Sequence, residues 1–348
     1  MSSRKTGYLD FMRIIACIMV IGVHVSAICL NKLDVESLNF KIMNAFDCLF
    51  ILGVPLFVMI SGALLLSPEY VLDIKKLYLH KAFPLAFLYF FWLLFYNTDS
   101  FIAAGKLWSF ESVKKEIVLE SLLGRGCGPL WFLPMIVSLY FCVPILKAFA
   151  TNKKICVLFC GLHFVLAIFL PTVLLFEFPY RTIVESIYNQ FYNSMFAGYI
   201  GYFVMGHILH TFLPQLKKKH LIFLCLCAIA SMVIEIYVCN LYSVKAGKLS
   251  TILNNPLTCN AYVTCICIFT FAAQTKIERT NLLKTGGRLT LGIYLLHPFT
   301  LRIFERLGGN TLFVPAILSI PIVTLLIAVV TMCIVFVIKK IPILRRLI

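Results

Sequence analysis

Residues 14–30 read IIACIMVIGVHVSAICL, seventeen consecutive positions with no Asp, Glu, Lys or Arg and a single histidine, His24. At 1.5 Å per residue such a helix is roughly 25 Å long, close to the thickness of a bilayer's hydrocarbon core. Arg4 and Lys5 precede the run in the manner of a secretory signal, but Arg13 stands at its mouth and no small-residue cleavage site follows it. We read it as a retained membrane helix. Similar runs recur to the C-terminus with only short polar breaks. Of the 348 residues 61% are apolar and 13% charged, and the mean hydropathy is +0.95. That balance excludes an ordinary soluble domain.

Apolar runs predict helices over about 10–30, 44–66, 82–97, 129–147, 155–176, 194–213, 221–240, 257–273, 289–304 and 312–338. The expected fold is an all-α polytopic membrane bundle of about ten transmembrane helices. It forms a single membrane-embedded domain over residues 1–348. An even number of spans puts both termini on one side. Lys and Arg number 20 on that side and 11 on the other, so both termini are expected to be cytoplasmic. The same rule accounts for the net charge of +16. In a soluble protein that charge would suggest nucleic acid; here the bilayer is the expected partner and nucleic acid is not. The 14 cysteines are scattered through the apolar runs. None makes a CxxC array with His, so they read as small core hydrophobes and no metal is expected.

Ionisable residues inside apolar runs are costly and mark partners or wet cavities. Asp10, Arg13, Cys17 and His24 fall within about 60° of one another on a helical wheel, forming one polar stripe. Arg13 lies near the cytoplasmic mouth, with His24 about 16 Å deeper. A histidine at that depth serves as general base, proton relay, metal ligand or interhelical hydrogen-bond donor. A fixed cation at the mouth and a titratable base at the bottom suit an anionic ligand with a reactive end. Asp47 and Ser61 share a face of the second run, where Ser61-Gly62 reads either as a packing contact or as part of a site. His297 precedes Pro298, which frees a backbone carbonyl one turn back, so the pair marks a kink or a buried site. Glu235, His163, His207 and His210 read as structural or interfacial. Trp131, after a glycine-rich approach, suits an aromatic belt or sugar stacking. Lys75, Lys76 and Lys81 form a basic flank able to hold phosphates.

These residues resemble a known pattern. Tyr8-Leu9-Asp10-Phe11-Met12-Arg13, with ten residues between Arg13 and His24, is similar to the Arg-x10-His signature of the membrane acyltransferase-3 family. Residues 54–62 (VPLFVMISG) resemble its second-span motif. Leu130-Trp131-Phe132-Leu133 with Tyr140 and Pro144 resembles its tryptophan motif, and residues 291–298 (LGIYLLHP) its penultimate-span motif. The similarity runs over nearly the whole chain. It is closest to the short, single-domain branch that O-acetylates surface polysaccharides, of the enterobacterial common antigen O-acetyltransferase type. Many members carry His where this chain has Pro129, and arginines at Lys76 and Lys81. Lysine still pairs with phosphate but as a point charge. About ten residues follow Ile338, so the soluble esterase-like domain that some members append is not expected.

The resemblance implies an O-acyltransferase of the bacterial inner (cytoplasmic) membrane. It would move an acyl group, expected to be acetyl, from acyl-CoA to a hydroxyl of a surface polysaccharide or its lipid-linked precursor. Acetyl-CoA enters as co-substrate, without a metal. The expected catalytic residues are His24 and Arg13. Arg13, Lys75, Lys76 and Lys81 are expected at the CoA phosphates, with Trp131, Ser61, Tyr294 and His297 toward the acceptor. The rival reading is a transporter or flippase for a polysaccharide precursor, with the same stripe as its path.

Overall fold

The computed structural model describes residues 6–190, 198–342 and 344–348. The described residues form helices joined by short loops, with no strand among them. In chain order the principal helices are α1 (Gly7–Leu30), α2 (Leu38–Leu65), α3 (Ile74–Ala103), α4 (Gly128–Phe149), α5 (Lys153–Val173), α6 (Arg181–Gln190), α7 (Ile200–Thr211), α8 (Lys218–Ala246), α9 (Cys259–Gln274), α10 (Asn281–Arg306) and α11 (Ala316–Lys340). Among them α1–α5, α8 and α11 are long and apolar enough to cross a membrane, and α9 is apolar but shorter. The chain is therefore an all-α, polytopic membrane bundle. Each expected run coincides with a helix. The run over 194–213 falls partly outside the described residues, and its described part is α7.

Local chemistry sets several helix starts. Ser37 caps α2 by accepting from the Phe40 amide at 3.2 Å, Asp73 caps α3 through the Lys76 amide at 2.9 Å, and Thr280 caps α10 through the Leu283 amide at 3.2 Å. The Asp73 cap launches α3 with Lys75 and Lys76 in its first turn.

Helix α1 packs along α2, α10 and α11. Between apolar helices in lipid no hydrophobic force favours association, so close backbone approach must supply the attraction. Glycines permit it here. A Cβ at Gly62 would run into the Phe203 carbonyl oxygen, and one at Gly206 into the Met59 carbonyl oxygen. The glycines thus seat α2 and α7 reciprocally, with Tyr202 and Phe203 fully buried beside them.

Helix α2 carries a turn at Ile51-Leu52, three residues before Pro55. Asp47 and Ser61, expected on one face of this run, meet different neighbours. Asp47 is buried among Ser26 Oγ at 2.7 Å and Asn254 Nδ2 at 2.6 Å, both donating to its carboxylate. Ser61 faces a different space, described next. At 1.5 Å per residue the two lie about 21 Å apart along the helix, so a shared face does not make a shared site.

Candidate active site

The predicted stripe of α1 faces α10 along its whole length, and the two helices run side by side in the same direction. Near its start the Asp10 carboxylate is 5% exposed and takes two guanidinium groups, Arg13 at 3.4 Å and Arg279 at 2.5 Å. Gly287 lies close against Asp10, where a Cβ would stand 3.1 Å from its carboxylate oxygen. Further along, the Cys17 thiol points to the Thr290 carbonyl at 3.7 Å. Deeper still, the His24 ring stacks on His297, with centroids 5.3 Å apart and planes inclined by 26°.

Pro298 explains the setting of His297. Proline has no N–H to give to the Tyr294 carbonyl, and its ring crowds that oxygen. His297 Nδ1 fills the vacancy by donating to the Tyr294 carbonyl at 2.6 Å. That bond assigns the tautomer and leaves Nε2 with its lone pair. Nε2 is buried without a hydrogen-bond partner among the described residues, while His24 beside it is partly exposed.

A cavity of about 230 Å³ has Arg13, Ser61, Phe132, Tyr140, Arg288 and Tyr294 in its wall; neither His24 nor His297 lines it. Four stretches distant in sequence thus meet at one space. Tyr294 is the link to the histidines. Its ring lies 5.9 Å from that of His297, and its hydroxyl donates to the Pro129 carbonyl. Ser61 therefore has both roles that its neighbourhood suggested: Gly62 packs against α7, and Ser61 lines the cavity.

The expected cations spread around the Arg13 end. Lys81 lies over the Tyr70 ring at 4.7 Å and feels the charges of Arg13 and Lys76. Lys75 and Lys76 are exposed, and none of these three lysines lines the cavity. Arg288, missed in the sequence, does line it. Its signal was the spacing of three that joins Arg288, Leu291 and Tyr294, obscured because Gly286-Gly287 reads as a loop. Lys339 donates to the Arg288 carbonyl at 2.7 Å, adding a further cation. Trp131 is 44% exposed and packs on Tyr199 with ring centroids 5.7 Å apart, whereas its neighbours Phe132 and Leu133 line the cavity. A larger space of about 580 Å³ beside Tyr8 and His210 contains none of the expected site residues.

Cations at one end, a small cavity and two stacked imidazoles thus come together in a polytopic helical membrane bundle. The family model described as an acyltransferase domain, acyltransferase-3, matches residues 6–340. The chain belongs to that family and is a membrane acyltransferase. Comparison with curated proteins and with solved structures gives no match.

Proposed function

We propose that the protein is an O-acetyltransferase of the bacterial inner membrane, using acetyl-CoA to modify a hydroxyl of a surface polysaccharide or its lipid-linked precursor. In this reading it resembles the enterobacterial common antigen type. The observation that carries it is the chain of contacts from the cavity wall, where Arg13 and Tyr294 stand, through the Tyr294 ring to His297 and from His297 to His24 stacked on it. Acyl transfer requires a base near the attacking hydroxyl and room for the departing thiolate. His24, the more exposed of the two imidazoles, is the base. It takes the hydroxyl proton as oxygen attacks the thioester carbonyl; the C–S bond then breaks, and the proton returns to the CoA thiolate. His297, fixed by its Nδ1 bond to the Tyr294 carbonyl, orients the His24 ring by stacking on it. Arg13, Arg288 and the lysines 75, 76 and 81 hold the CoA phosphates.

In this arrangement ten helices span the membrane, and both termini face the cytoplasm with the CoA pool. Reporter fusions after Lys219 and Arg345 should report cytoplasmic, and fusions after Lys114 and Lys245 external; an external C-terminus overturns the topology. Charge reversal of Lys75, Lys76 and Lys81 together should raise the donor KM more than it lowers kcat, the mark of lost uniform binding. A selective loss of kcat would assign these lysines elsewhere.

The test of function uses purified protein in nanodiscs, labelled acetyl-CoA and lipid-linked glycans extracted from a strain lacking the gene. Free CoA and labelled glycan should appear together. Glycan movement across the bilayer without thioester consumption would instead establish the transporter reading.

A further inference from the structure

Two neighbouring rungs of α10 engage side chains. At Pro298, which has no N–H, the Tyr294 carbonyl is satisfied by His297 Nδ1 at 2.6 Å. One residue on, the Phe299 amide donates to the Tyr96 hydroxyl at 3.3 Å, and that hydroxyl donates to the Leu295 carbonyl at 2.7 Å. A phenol from α3 therefore bonds both the donor and the acceptor of one i to i−4 pair of α10.

Tyr96 is itself held firmly. It is fully buried, and its ring packs on Trp92 and Phe95 with centroids 5.9 Å and 5.3 Å away. The Arg302 guanidinium lies 5.1 Å from the ring centroid. One turn beyond, Asp99 takes Arg302 at 2.9 Å and Arg306 through two nitrogens at 2.9 and 3.0 Å. Helix α3 thus grips α10 by a phenol on one rung of the ladder and by a carboxylate on two guanidiniums. The phenol acts two residues from His297, on the rung next to the one that fixes its tautomer.

We infer that Tyr96 is a positioning residue: its hydroxyl, bonded to both the Phe299 amide and the Leu295 carbonyl of α10, sets the backbone at Pro298 so that His297 stacks on His24. The inference rests on the proposed role of the histidine pair. Its local part, the contact of the phenol with the ladder, is separately measurable.

Tyr96→Phe keeps the ring, its packing and its cation contact and removes only the hydroxyl. It should lower kcat about tenfold or more with the donor KM within about twofold. Hydrogen exchange should accelerate at residues 295–300 and not in α1 or α2. In a His297→Ala background the same substitution should lower kcat no further, since positioning has no object there. Pro298→Ala is a second variant, in case Tyr96→Phe does not fold. It returns a backbone N–H opposite the Tyr294 carbonyl, in competition with His297 Nδ1, and should also lower kcat with little change in KM. Wild-type kcat in whichever of these variants folds, unchanged exchange at 295–300, or additive losses in the double variant overturns the inference. Wild-type activity in His297→Ala instead removes the functional reading, while accelerated exchange in Tyr96→Phe would still establish the ladder contact.

Discussion

His24→Ala is expected to leave a folded, membrane-inserted protein whose transfer rate falls roughly 10²–10⁴-fold, the range for loss of a positioned proton acceptor. The fold should survive because His24 is partly exposed and, among the described residues, makes no hydrogen bond and only stacks on His297. His24→Gln keeps a hydrogen-bonding amide of similar reach but cannot take up the proton, so it should be nearly as slow. Arg13→Ala should behave differently. It removes a charge from the cavity wall, so saturating acetyl-CoA should restore part of the rate, whereas no donor concentration should rescue His24→Ala. Release of CoA by protein in nanodiscs, with a thermal melt as folding control, measures all three. Near-normal turnover in His24→Gln would leave the imidazole a packing group and end its assignment as base.

Gly62→Val should be the most damaging substitution for the fold. The added carbons have nowhere to go, because the obstacle is the Phe203 backbone carbonyl rather than a side chain able to turn aside. Overpacking ordinarily costs about 1–3 kcal/mol. Here the reciprocal contact at Gly206 must open as well, so a loss of about 3 kcal/mol or more is expected. Folded, monodisperse protein in detergent should fall sharply, and the melting temperature of any remainder should drop. Gly161→Ala is the matched control. It is a helical glycine with no neighbouring atom within 4 Å of the position its Cβ would take, so it should be neutral or slightly stabilising through helix propensity. Equal behaviour of the two variants would show that α2 and α7 can slide apart at little cost.

The helices were legible because hydrophobic runs in a bilayer must be helical to satisfy their own backbone groups. The α1 stripe was legible for a related reason: in an unbroken helix, residue spacing alone fixes which side chains share a face. Asp47 and Ser61 show the limit of that reasoning, since residues on one face but about 21 Å apart along a helix meet different neighbours. His297 was picked out by its proline. Its stacking on His24 spans 273 positions of chain and follows from tertiary packing that no periodicity encodes. Tyr96 was invisible because it sits among aromatic neighbours on an apolar run and does its work through one oxygen. Trp131 drew attention by its type, yet Phe132 and Leu133 face the cavity, a difference of one helical step that composition cannot resolve.

The pairing of Asp10 with Arg279 bears on how the protein is made. The guanidinium that completes the cluster of Asp10 and Arg13 leaves the ribosome 269 residues after Asp10. Domains ordinarily consolidate from the N-terminus as synthesis proceeds. Here α1 must wait in the bilayer with Asp10 holding only the longer of its two guanidinium contacts until the segment before α10 arrives, so this ion cluster closes late in biogenesis. A nascent chain halted before Arg279 would carry Arg13 and His24 and still lack the finished cluster.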